Sequence, residues 1–81
     1  MRPISEDPGF QEMMRQHREL GGRLVALAAE LQTCALRDLE PGETVEQRLE
    51  KVEVLRAERD KVEREHLLIA KSIWTLKASW R

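Results

Sequence analysis

The sequence predicts an all-α protein: two long antiparallel helices forming a helical hairpin of coiled-coil character, two copies of which pair into a four-helix bundle. Three observations carry this expectation. The chain is 36% charged and has two Trp, one Phe and no Tyr. Its Leu, Ala, Glu and Arg are helix formers, whereas strands favour β-branched and aromatic residues. A single stretch, Asp38-Leu39-Glu40-Pro41-Gly42-Glu43-Thr44, carries the Pro-Gly pair that ends helices and makes turns. On either side of it apolar residues recur at alternating steps of three and four, the coiled-coil period.

Each element has a local reason. Residues 1–7 read as a flexible N-terminal arm, with Ile4 placed to fold back on the end of helix 2. Asp7 followed by Pro8 is an N-cap with proline at the first helical position, where its missing N–H is no loss. Helix 1 is therefore expected at about residues 8–39 and the turn at 40–44. Thr44 with Gln47 fits a capping box and opens helix 2, expected at about residues 45–79. The seam of helix 1 runs through Phe10, Met13, His17, Leu20, Leu24, Leu27, Leu31 and Cys34. That of helix 2 runs through Val52, Leu55, Arg59, Val62, His66, Ile69, Ile73, Leu76 and Trp80. Folding back at Pro41-Gly42 sets Leu31 against Val52, Leu24 against Arg59, His17 against His66 and Phe10 against Ile73.

Composition excludes several function classes. A net charge of −1 provides no basic field for nucleic acid or anionic lipid, and charges alternate in sign along exposed positions of helix 2. Residues 40–65 hold nine acidic and six basic side chains, while residues 66–81 hold three basic and none acidic. No run approaches the roughly 18 apolar residues of a membrane span. A lone Cys34 forms no internal disulfide and the opening MRPISEDPGF lacks an apolar signal core, so a cytoplasmic protein is expected. No nucleophile and base pair up, and the spread of inward Arg, Lys and Glu found in small helical chorismate mutases is missing. Arg59 is accounted for by snorkelling over Gly21 towards Asp60 or Glu63. The reading is a non-enzyme without cofactor. Its residue bias suits a bacterial or phage genome.

Gly21 and Gly22 interrupt a run of strong helix formers, each at about 1 kcal/mol relative to alanine. Gly21 continues the column Met14, Gly21, Ala28, Ala35, whose small residues admit a close neighbour. Gly22 belongs to the column Arg15, Gly22, Ala29, Leu36, which with Val25 makes a second apolar face that a single partner helix leaves wet. The expected partner-binding residues are Gly22, Val25, Ala29 and Leu36, extended by Trp74 as an aromatic anchor. The function this implies is protein–protein interaction: a homodimer serving as adaptor, assembly chaperone or inhibitor of a larger machine. Two alternatives accompany it. His17, His66 and Glu63 supply the Glu-x-x-His spacing of di-iron bundles, but helix 1 offers no inward carboxylate to match, since Glu19 faces outward and Glu12 is a poor substitute. A register-fixing or pH-sensitive histidine layer is the simpler expectation. The tail LLIAKSIWTLKASWR suits a membrane surface by its tryptophans and cations, but Ile69, Ile73, Leu76 and Trp80 already belong to the seam. Secreted hairpins of type VII systems carry a Trp-x-Gly turn that Glu40-Pro41-Gly42-Glu43 lacks. Type III needle subunits are similar in size and layout, without a shared motif.

Overall fold

Capping fixes where the helices begin. In the computed structural model, which describes residues 2–81, the Asp7 carboxylate accepts the Phe10 N–H at 2.9 Å and Pro8 takes the first helical position. Helix α1 follows over Pro8–Leu36, and helix α2 covers Val45–Ser79. The start of α2 is a complete capping box: the Gln47 N–H donates to Thr44 Oγ1 at 3.1 Å and the Thr44 N–H to Gln47 Oε1 at 3.0 Å. Between the helices Gly42 adopts φ +81°, a left-handed conformation that explains the glycine. The two helices lie antiparallel in a rod of 64 × 15 × 14 Å.

α1 ends three residues short of the expected residue 39. Arg37 and Leu39 have good helix propensity, but Arg37 turns extended at ψ 145° because its carbonyl and those of Cys34 and Asp38 converge on the Arg48 guanidinium of α2. The arm carries local structure of its own. Ile4–Glu6 forms a 3₁₀ turn, Gln11 Nε2 donates to the Ser5 carbonyl, and the Trp80 indole N–H donates to the Arg2 carbonyl at 3.1 Å. A tryptophan N–H beside the last turn finds its acceptor in the arm and closes the open end of the hairpin. Met1 lies outside the described residues.

Every seam position of α1 is half-buried, and those of α2 are half-buried or buried. The register holds: the His17 and His66 rings stack with centroids 4.1 Å apart. Arg23 and Glu58 pair at 2.9 Å along one edge, and Lys77 Nζ sits 5.8 Å from the Phe10 ring centroid. Gly21 serves a different neighbour from the one expected. A Cβ there would lie 3.5 Å from His66 Nε2, so the column accommodates His66 rather than Arg59. Arg59 does reach Asp60, one of its two expected partners, at 3.3 Å. The resulting core is thin. Among the described residues the buried apolar side chains are Val62, Ala70 and Ile73, and Val62 alone is essentially sealed at 1% exposure.

Candidate interaction surface

The turn end is rigid because one side chain gathers it. Arg48, 7% exposed, uses all five of its N–H donors. Nη1 reaches the carbonyls of Cys34 at 2.7 Å and Arg37 at 2.6 Å, and Nη2 reaches that of Asp38 at 3.0 Å. Nε and Nη2 also hold the two Glu43 oxygens at 3.3 and 2.6 Å. These carbonyls include ones a helix C-terminus leaves without partners, and the cation complements the negative end of the α1 dipole. Glu43 further accepts Lys51 Nζ at 2.8 Å and the Glu40 N–H at 3.0 Å. The Arg48 and Lys51 hydrogen bonds, aided by that backbone donor, hold the Glu43 carboxyl down to about 2. Sequence reasoning missed this latch, yet its signal is present: Arg48 lies four residues before Val52, one step further along the same seam.

Around the latch Leu36, Leu39, Val45, Leu49 and Val54 are exposed, and an open groove of about 990 Å³ runs past Thr33, Cys34, Pro41, Gln47 and Lys51. A second exposed apolar group, Leu67, Leu68 and Trp74, lies towards the open end. The sequence-predicted residues fall into both. Val25 is 71%, Leu36 76% and Trp74 60% exposed, and Gly22 and Ala29 are exposed too. Gly22, Ala29 and Leu36 form one column opposite the seam, with Val25 beside it. Trp74 does not join them within one chain: it stands level with Phe10, roughly 20 Å along the rod from Gly22.

A Cβ added at Gly22 would meet nothing within 4 Å. Gly22→Ala is therefore expected to raise stability by about 0.5–1 kcal/mol, read as a higher urea midpoint at unchanged slope. The histidine layer is a stack with an interplanar angle of 26°, and Glu63 is exposed on the outer flank. Among the described residues no three His, Cys, Asp or Glu side chains gather as metal ligands, and Cys34 is a half-buried thiol. In the tail, Ile73 is buried and Ile69, Leu76 and Trp80 are half-buried, and among the described residues no helix is long and apolar enough to cross a membrane. Compared with known protein families, curated proteins and solved structures, the chain matches none.

Proposed function

We propose that the chain is a non-catalytic protein-interaction module that works as a homodimer, two hairpins closing into a four-helix bundle. The observation that carries this reading is the imbalance, among the described residues, between a core of three buried apolar side chains and nine large apolar ones left exposed. Area gives the same answer. The accessible surface is 6156 Å², whereas a compact monomer of this mass exposes about 5,000 Å². The excess, roughly 1,100 Å², exceeds the ~800 Å² that each partner covers in a standard interface. The radius of gyration, 18.2 Å, likewise stands above the roughly 12 Å of a compact domain of this length. Val25 with Gly22, Ala29 and Leu36 supplies one apolar contact surface and Trp74 another. A small paired module of this kind serves as an adaptor, assembly chaperone or inhibitor of a larger protein.

Light scattering across a concentration series, with circular dichroism alongside, tests the reading. A mass near twice 9.5 kDa, falling together with helicity on dilution, is the expected result, because association and folding are linked by mass action. A folded monomer at every concentration overturns self-association and turns the Val25, Ala29 and Leu36 face into a docking site for a different protein.

A further inference from the structure

The ion pair between Arg23 and Glu58 joins residues that precede seam positions on both helices, so residues that follow seam positions share the opposite edge. On that edge α1 presents Met14, Gly21, Ala28 and Ala35, and α2 presents Leu49, Arg56, Glu63 and Ala70. Turned end for end, the α2 column, apolar, cation, anion, apolar, sets each charge level with its opposite, and three of the four α1 residues, Gly21, Ala28 and Ala35, are small. We propose that, given the self-association argued above, a second copy docks on this edge antiparallel, about a twofold axis perpendicular to the rod at the level of Val25 and Asp60.

Charge selects this polarity. An axis at that level lies midway between Arg56 and Glu63, so turning the second copy end for end sets Arg56 on the partner's Glu63 and, by symmetry, forms the same pair again. Leu49 then comes level with the partner's Ala70, a small residue mostly covered within its own hairpin, and the small α1 columns let the backbones approach. Arg56 is engaged only by Glu53 at 3.4 Å in a solvent-exposed pair and is free to re-aim. The opposite alignment, turn ends together, lays α1 over the partner's α2 and sets Arg56 and Glu63 against Ala28 and Gly21, with no opposite charge. It also superposes two acidic ends. Residues 36–53 hold six acidic and three basic side chains, whereas residues 2–15 with 66–81 hold three acidic and five basic. Antiparallel docking lays the first group over the second, and these regions lie far enough apart on a 64 Å rod to act separately at a Debye length of about 10 Å. It also brings Trp74 to the turn end of the second copy, beside the partner's Val45 and Leu49. Trp74 and the exposed residues Val45 and Leu49, separate in one chain, thereby cover each other.

Charge exchange tests the polarity. Arg56→Glu places two glutamates at each contact and Glu63→Arg two arginines. Each variant alone is expected to dimerise about tenfold or more weakly than the parent in sedimentation equilibrium, with helicity at high concentration retained. Mixing the two variants in equal amounts restores opposite charges at both contacts, and the expected result is a heterodimer close to parental strength. A parent that dimerises while both variants associate equally well overturns the antiparallel edge and leaves self-association standing. A monomeric parent overturns self-association itself.

Discussion

Arg48→Ala is expected to lower the melting temperature by roughly 10–20 °C, the largest effect of any single polar substitution in the chain. The variant strands three backbone carbonyls, of Cys34, Arg37 and Asp38, and leaves the Glu43 carboxylate with Lys51 and one backbone N–H. Unmade hydrogen bonds at a buried site are costlier than the bonds themselves are stabilising, because the groups have given up water. Arg48→Lys is expected to recover only part of the loss, since an ammonium keeps the charge but lacks a planar fork reaching five acceptors. Arg64→Ala, on the exposed face of the same helix, serves as the neutral control. Acid reads the same latch. Folding lowers the Glu43 carboxyl to about 2, so its contribution is complete above the unfolded value near 4.5 and is lost as pH falls from there towards 2. Thermal melts from pH 7 to 2 are expected to show a steeper acid limb for the parent than for Glu43→Gln, which carries no titrating group at this position. Equal limbs would assign acid unfolding to other carboxylates.

The latch also shows where periodicity stops being informative. The seam was legible because eight positions on α1 and nine on α2 keep one spacing, and a spacing kept that long has only one way to bury itself. Arg59 falls within the seam because Leu55 and Val62 flank it, whereas Arg48 lies beyond the seam's apparent start at Val52 and stays outside it. The end of α1 fell short of residue 39 for a related reason: Arg37 and Leu39 are good helix residues, and what stops them is a side chain eleven positions from Arg37 in sequence. The neighbour of Gly21 was missed for a geometric reason. Helical side chains lean towards their own N-terminus, so His66, running antiparallel from the level of His17, reaches Gly21, whereas Arg59 leans away from it. The candidate surface divides similarly. Exposure of Val25, Leu36 and Trp74 follows from their places off the seam, but their separation along the rod needs the register. Only with that register in hand can the proposed antiparallel pairing be seen to set Trp74 at the partner's turn end.

Ile73→Ala is expected to destabilise the protein by about 2–4 kcal/mol, the cost of the lost transfer energy and of the cavity left against α1. Ile73 is 5% exposed and is one of three buried apolar side chains. In a larger domain the same change is absorbed by the remaining core, but domains near this size hold little stability in reserve. A partly unfolded population at micromolar concentration is therefore expected, visible as reduced helicity at 25 °C. If the proposed dimer forms, raising the chain concentration is expected to restore helicity, because association draws the folded form from the equilibrium. Leu36→Ala removes a side chain of similar size from a site that is wet in the single hairpin, and should change monomer stability by no more than about 0.5 kcal/mol. Urea midpoints at several concentrations separate the two cases. A loss at Leu36 that grows as the parent becomes dimeric identifies it as interface, whereas one independent of concentration makes it part of the fold of each hairpin.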